Sequence, residues 1–130
     1  MSNFHIKLNF VILTTDVENS SQHILSTDSS TILLPSIDLN LEWVDNLDLS
    51  IINYLKNEYI FVSEYDLLPQ IISVNSKHIE KENENTLNMV YGFVVPYSKN
   101  LSDQAYWIRF DYTNPVKYTG LIFEVIQKLR

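Results

Sequence analysis

The 130-residue sequence has no cysteine, only two glycines and few basic residues. Without cysteine, disulfides and thiolate metal sites are excluded. The two glycines, Gly92 and Gly120, stand alone, which excludes a glycine-rich phosphate-binding loop. Nine Lys and Arg against sixteen Asp and Glu give a formal net charge of −7, which opposes nucleic acid as a partner, because that binding depends on clustered basic residues.

Long apolar runs are also missing, so we expect neither a signal peptide nor a membrane span. The length predicts one domain over residues 1–130, and an apolar content of 45% predicts a packed core. A single alanine and two glycines beside abundant Asn, Ile, Leu and Ser suggest an AT-rich coding genome. This bias is common in viruses and phages, so the predicted location is a virion or the host cytoplasm.

Several segments have the patterns of strands. Residues Phe4 to Leu13 alternate and then become apolar, while His23–Leu25 and Thr31–Leu34 flank a polar cluster typical of a hairpin connection. Pro35 is predicted to end the third strand, because proline has no N–H to donate. The apolar run Met89 to Val95 predicts a central strand.

Helical spacing appears twice. Residues Asp48 to Glu58 predict a helix with Asp48 as its N-cap, and Asn114-Pro115 predicts the start of an amphipathic helix that continues to the C-terminus. Between them, Leu101 to Ala105 is predicted to form a helical turn and Tyr106 to Tyr112 a strand. The expected fold is α/β (α+β), with a mixed sheet between a central and a C-terminal helix.

The segment from Ile32 to Asn57 has the outline of a known motif. The Nudix pattern is Gly, five residues, Glu, seven residues, Arg-Glu, an apolar residue, any residue, Glu-Glu, any residue and Gly, usually after a strand that ends in Leu-Pro. Leu34-Pro35 precedes Ser36 in the first Gly position, and Glu42 occupies the next position. The remaining positions differ from the pattern and hold Ser50, Ile51, Tyr54, Leu55 and Asn57, apart from the apolar Ile52. Over most of its length the chain resembles a Nudix domain.

This resemblance implies an α/β/α sandwich without the family's chemistry. Nudix hydrolases hold Mg²⁺ against a diphosphate with the motif glutamates, because Mg²⁺ prefers hard oxygen ligands. Ile51, Tyr54 and Leu55 cannot supply such ligands. We therefore expect no hydrolysis by that mechanism, no catalytic residue and no cofactor.

Asp38, Glu42 and Asp45, followed by Asp48, form an acidic cluster ahead of the central helix. They are the candidates for a relocated metal site, and on that alternative the chain is a Nudix-type enzyme or a nucleotide-diphosphate-binding module. The simpler interpretation is that carboxylates before a helix interact favourably with its N-terminal dipole.

Aromatic residues and arginine are enriched at interface hot spots, which makes Trp43, Trp107, Arg109 and Tyr112 the candidates for a partner surface, although the aromatic rings also suit a core. The leading hypothesis is a non-catalytic structural or adaptor protein. It would contact other proteins of an assembly, or further copies of itself, at a neck, tail, baseplate or capsid position of a viral or phage particle. A small regulatory protein that binds a host or cellular partner is a further alternative.

Overall fold

The computed structural model describes residues 5–16, 18, 20–59, 70–72, 86–97, 101–110, 124, 125 and 127. The elements with defined bounds are six strands, a 3₁₀ helix (η1) and an α-helix (α1). Their bounds are His5–Asp16 (β1), Ser21–Ser26 (β2), Ser36–Asp38 (β3), Leu41–Asn46 (η1), Leu47–Glu58 (α1), Gln70–Ile72 (β4), Thr86–Val94 (β5) and Tyr106–Phe110 (β6).

The described strands form one mixed sheet in the order β4-β5-β1-β2-β6. β1 runs parallel to β5 and antiparallel to β2, and β3 pairs with β1 beside β2. The apolar run that predicts a central strand lies in β5, which has β4 on one side and β1 on the other. The predicted fold class, a mixed sheet with helices, is confirmed.

One edge of β1 is shared between two partners. β3 pairs with residues 7–9 and β2 with residues 13–16, while the other edge of β1 follows β5 from His5 to Leu13. Between β3 and β2, the Phe10 N–H donates to the Pro35 carbonyl at 2.9 Å. The prediction that Pro35 ends a strand is therefore wrong, since Pro35 directly precedes β3. A proline has no N–H to donate, but its carbonyl can still accept a hydrogen bond.

The predicted strand Thr31–Leu34 is also wrong, and Ser26 provides the reason. The buried Ser26 hydroxyl accepts hydrogen bonds from the N–H groups of Asp28 and Leu33, at 3.1 and 2.9 Å. It lies 2.6 Å from the Thr31 carbonyl. These backbone groups bond to a side chain instead of a neighbouring strand, so residues 27–35 form a compact turn.

Both faces of the sheet are buried. On one face, Leu8, Phe10 and Ile12 of β1 pack in a cluster with Ile51 and Leu55 of α1. The alternate residues Val11 and Ile24, which point to the other face, are equally buried. Burial on both faces is what a three-layer α/β/α arrangement requires.

The central helix begins earlier than its sequence predicts. α1 starts at Leu47, and its N-cap residue Asn46 makes no capping hydrogen bond with its side chain. Asp48 is thus inside the first turn and is not the N-cap. The capping side chain stands further upstream, where Asn40 accepts a hydrogen bond from the Glu42 N–H at the start of η1.

Residues Leu101 to Ala105 form a turn and not the predicted helical turn. The Ser102 N–H donates to the Tyr59 carbonyl at 3.0 Å, and the Ala105 N–H donates to the Ser102 carbonyl at 3.2 Å. The turn thus keeps one local hydrogen bond, while the Ser102 N–H bonds to the residue that follows α1.

Near the C-terminus, residues 124, 125 and 127 are helical, as predicted. Val125 of the predicted apolar stripe is fully buried, while Gln127 is exposed. The predicted helix start at Asn114-Pro115 and the remaining stripe residues lie outside the described residues. No helix in the described part of the chain is long and apolar enough to cross a membrane.

Candidate functional site

The inner face of α1 is part of the core. Ile51 and Leu55 have 0% exposure, and both belong to the cluster that includes Phe10 and Tyr91. The apolar residues of α1 recur at spacings of three and four residues, which places them on one side of the helix. Neither position is accessible to a ligand in this arrangement.

Tyr54 lies at the edge of the same face and connects three aromatic rings. Its ring centroid is 5.6 Å from that of Trp43, 6.1 Å from that of Phe10 and 5.8 Å from that of Tyr59. Its hydroxyl lies 3.2 Å from the Tyr59 hydroxyl. Burial, followed by this hydrogen bond, raises the pKa of Tyr54 well above the usual range of a phenol.

Beneath α1, Tyr91 of β5 is a fully buried tyrosine. Its hydroxyl has no hydrogen-bond partner among the described residues. Burial, together with the negative charge of Asp48, raises the pKa of Tyr91.

The short helix η1 has the opposite arrangement. Leu41 is 83% exposed and Val44 is 56% exposed, and residues three apart on a 3₁₀ helix lie on the same side. Trp43 points the other way and packs against the core. We call the exposed pair Leu41 and Val44 the η1 ridge.

Four carboxylates lie close to this ridge in the sequence. Asp38, Glu42 and Asp45 are all exposed, as is Asp48 at the start of α1. In the described part of the chain, no three His, Asp or Glu side chains lie close enough together to hold one metal ion. The structure therefore does not bring Asp38, Glu42 and Asp45 together as one ligand set.

The other interface candidates lie on β6 or beyond it. Trp107 is half-buried, packs against the core and has its ring 6.3 Å from that of Tyr97. Arg109 is exposed, and its backbone lies opposite that of His23 in the pairing of β6 with β2. Tyr112 lies outside the described residues. Trp43 and Trp107 thus contribute to the core, and of the described candidates Arg109 is the exposed one.

A cleft of about 510 Å³ opens beside the C-terminal end of α1. Leu34 and Tyr59 are its buried lining residues, whereas Leu33, Asp103 and Tyr106 are exposed. Ser36, at the start of β3, also contributes to the wall. The cleft is therefore lined by residues that precede the loop to α1 and by the residue that directly follows α1.

Ser102 holds one wall of this cleft in place. Its hydroxyl donates to the Glu58 carbonyl, and its N–H donates to the Tyr59 carbonyl, so the turn is tied to the last residues of α1. The Gln104 N–H donates to the same hydroxyl at 3.3 Å. These hydrogen bonds of the Ser102 hydroxyl and N–H fix the position of Asp103, which lies at the tip of the turn.

Comparison with known proteins gives a result for structure alone. No family model and no curated protein matches the sequence. The NUDIX domain of Shewanella oneidensis NrtR, in a complex with ADP ribose, superposes with a TM-score of 0.64 at 14% identity, over 100% of this chain and 91% of that one. The fold is Nudix-like.

Two further solved structures agree with this Nudix-like fold. A MutT/nudix family protein from Enterococcus faecalis has a TM-score of 0.59 at 9% identity, over 99% of this chain and 63% of that one. The C-terminal domain of mouse MUTYH, in a complex with human PCNA, has a TM-score of 0.58 at 11% identity, over 98% and 90%. The resemblance that the sequence predicts is thus confirmed at the level of the fold.

In this Nudix-like fold, the motif positions fall on the segment from Ser36 to α1. The positions of three motif glutamates hold Ile51 and Leu55, which are in the core, and Tyr54, which joins the aromatic cluster. Sequence reasoning finds these substitutions but misses the ridge and the cleft. The sequence carries one signal for the acidic character of the segment that contains the ridge, because residues 8–55 contain seven Asp or Glu and no Lys or Arg.

Proposed function

We propose that this chain is a non-catalytic binding domain that acts through protein–protein contacts, as a structural or adaptor component of a larger assembly. The Nudix-like fold supplies the scaffold. The observation that carries the proposal is the 0% exposure of Ile51 and Leu55, at positions where the resemblance requires metal-binding glutamates. A helix face committed to the core cannot also present ligands to Mg²⁺.

The η1 ridge supports a binding role. The pair is an exposed Leu and Val on one side of a short helix that also carries the exposed Glu42 and Asp45. Apolar side chains next to charged ones are typical of a protein interface, with an apolar centre and a polar rim. Since residues 38–48 carry four exposed acidic and no basic side chains, the partner surface should be basic around an apolar centre.

The composition supports a viral or phage particle as the setting, since two glycines and a single alanine in 130 residues fit an AT-rich genome. In such a particle the chain would occupy a neck, tail, baseplate or capsid position.

A second candidate function is binding of a nucleoside diphosphate sugar without hydrolysis. It is favoured by the similarity to a NUDIX domain that was solved with ADP ribose. The cleft beside α1 argues against it, because none of the described residues that line it is basic and Asp103 is acidic. A diphosphate would meet a carboxylate there without a compensating cation.

The first test measures turnover. The purified chain is incubated with ADP-ribose and with other nucleoside diphosphate derivatives, in the presence of Mg²⁺ or Mn²⁺. We expect no product above the level of the metal-containing buffer. Turnover that disappears in the Asp38→Asn, Glu42→Gln double variant would overturn the proposal in favour of a relocated metal site.

The second test measures partner binding. The tagged chain and its Leu41→Ser, Val44→Ser variant are expressed in the native cells, cross-linked and recovered, and the proteins that co-purify are quantified. We expect a stoichiometric partner to be lost in this variant and kept in the matched control Leu87→Ser, Val94→Ser, which alters an exposed Leu and Val of β5. Equal recovery in both variants contradicts a role for the η1 ridge.

A further inference from the structure

The short strand β3 has one edge that no described strand covers. On its inner edge the register places Ile37 opposite Leu8, and the Leu39 N–H, two residues further on, donates to a β1 carbonyl at 2.8 Å. Hydrogen bonding alternates along an antiparallel strand, so the backbone N–H and C=O groups of Ser36 and Asp38 point away from β1. Within the described residues, β3 pairs with β1 alone.

These outward groups are accessible. Neither Ser36 nor Asp38 makes a hydrogen bond to a residue outside β1 in the described part of the chain. Ser36 is half-buried and Asp38 is exposed, so another chain can approach them. A row of unpaired N–H and C=O groups at the edge of a sheet is a template for one more strand.

The cleft of about 510 Å³ lies next to this edge. Leu33, Leu34 and Ser36 contribute one part of its lining, and Asp103 and Gln104 of the turn before β6 contribute another. That turn is hydrogen-bonded to the last residue of α1 and to the residue after it, so the cleft exists before any ligand binds. An accessible cleft with many polar side chains suits an extended backbone, which brings N–H and C=O groups of its own.

The charges near β3 indicate what kind of strand this edge would accept. Asp38 is the last residue of β3, and residues 38–48 carry four exposed acidic side chains and no basic one. Pairing with β3 of a second copy would bring two such acidic segments together, which like-charge repulsion opposes. A strand of another protein that is flanked by Lys or Arg would instead be attracted.

We infer that the outer edge of β3 binds an extended segment of a partner protein by strand addition. The backbone groups of Ser36 and Asp38 would form the hydrogen bonds, and basic residues would flank the added strand. The inference rests on the proposed function in one respect, that the ligand belongs to a partner protein. It uses the backbone of β3, whereas the η1 ridge uses side chains. The three residues of β3 span about 10 Å, so the paired segment is short.

The probe is a capped peptide of sequence Lys-Val-Thr-Val-Lys, whose β-branched residues favour an extended backbone. Its binding is followed through amide chemical shifts of the isotope-labelled chain at low salt, with the largest changes expected at Ser36 and Asp38. Two further peptides carry backbone N-methyl groups, one on both Val and the other on Thr and both Lys. Alternate amides of a strand point to opposite edges, so one methylated peptide should bind as the parent does and the other should not. Equal behaviour of the two overturns the inference.

Ser36→Pro tests the same hydrogen bonds from the side of the protein. It removes an N–H that the pairing with β1 does not use, and proline is tolerated in an edge strand at such a position. We expect peptide binding to weaken by about fivefold or more, because a donor is lost and the ring blocks a neighbouring strand. Ser36→Ala is the matched control, since it removes the hydroxyl and keeps the N–H. Equal weakening in both variants overturns strand addition, and the methylated peptides decide the matter on the wild-type chain if Ser36→Pro does not fold.

Two further titrations test the identity of the partner. A peptide with Glu in place of both Lys should bind about threefold more weakly at low salt, and equal binding would overturn the requirement for a basic segment. Raising the concentration of the chain without peptide should leave the Ser36 and Asp38 amide shifts unchanged. Concentration-dependent shifts at these two residues would overturn the inference in favour of pairing with a second copy.

The inference and the proposed function fail in different ways. The Leu41→Ser, Val44→Ser variant should bind the lysine peptide as well as the wild type does. If the peptide fails to bind while this variant still loses its partner in cells, strand addition is wrong and the adaptor function stands. If the peptide binds as expected and the partner is retained in that variant, the ridge is wrong and strand addition stands.

Discussion

The consecutive helices η1 and α1 use the same residue types in opposite ways. α1 turns Ile51, Ile52 and Leu55 into the core, whereas η1 has no buried residue and exposes Leu41 and Val44. Of the apolar side chains of η1, Trp43 packs against the core, whereas Leu41 and Val44 are left in solvent. The comparison shows that α1 contributes its apolar side chains to the core, whereas Leu41 and Val44 stay exposed, as the proposed binding role requires.

The largest effect on this difference between α1 and η1 is expected when a glutamate of the Nudix motif is placed back into α1. Leu55→Glu would bury a carboxylate with no ion-pair partner in the cluster around Phe10. We expect a loss of unfolding free energy of about 4 kcal/mol or more, measured by urea denaturation, because a large apolar contact is lost and a charge is desolvated. Hydrolase activity should not appear.

Leu41→Glu is the control in the outer helix, because it places the same new side chain on a position that is already in solvent. Its expected change in unfolding free energy is within about 0.5 kcal/mol. A large loss there, or a stable Leu55→Glu variant with metal-dependent turnover, contradicts the division between inner and outer faces.

Tyr91→Phe sharpens the description of the inner side. It removes a buried hydroxyl that has no partner in the described structure and keeps the ring contact with Phe10. We expect a gain in unfolding free energy of about 1 kcal/mol, since an unsatisfied polar group no longer needs to be desolvated. Tyr97→Phe, at an exposed position, should leave stability unchanged, and destabilisation by Tyr91→Phe would mean that the hydroxyl has a partner.

Asn40→Ala tests whether the outer helix depends on local capping. The Asn40 side chain accepts a hydrogen bond from the Glu42 N–H at 2.9 Å, so its removal should cost about 0.5–1 kcal/mol in chemical denaturation. Asn46→Ala is the matched control, because Asn46 precedes α1 without a capping hydrogen bond from its side chain. Equal losses in the two variants would show that the cap is not the cause.

The smallest effect near neutral pH is that of Tyr54, which joins the two helices through Trp43. Burial raises the pKa of Tyr54 in the folded chain, so above about pH 10 the unfolded chain loses a proton that the folded chain keeps. Stability should therefore be constant below that pH and fall above it. Tyr54→Phe should make the fall shallower, as followed by denaturation and tyrosinate absorbance across about pH 8 to 11. An unchanged slope contradicts the assignment.

Much of this fold can be predicted because its inner elements have strong patterns. The apolar run in β5 and the helical spacing in α1 reflect burial, which selects residue types directly. The strand predicted at Thr31–Leu34 fails because the Ser26 hydroxyl takes the Leu33 N–H, and one serine in a polar cluster does not reveal that role. The predicted helical turn at residues 101–105 fails similarly, because its partner Tyr59 is far away in sequence.

The site is predictable only where it depends on a linear motif. The loss of carboxylates at positions 51, 54 and 55 is visible in the sequence, and the structure adds that two of these positions are core. The cleft joins Ser36, Tyr59 and Asp103, which come together only when the sheet has formed. No local spacing connects these residues.

The long parallel pairing of β1 with β5 also determines when the chain is most vulnerable. The Thr14 hydroxyl donates to the Val95 carbonyl, 81 residues later in the sequence. β1 therefore pairs along one edge with a strand, β5, that is synthesised much later. During synthesis, β1, β2, β3 and α1 are complete while one edge of β1 has no neighbour. A nascent chain that has been synthesised only as far as residue 59 should therefore be slow to fold and prone to aggregate. A chaperone that covers the unpaired edge of β1 would reduce this aggregation most.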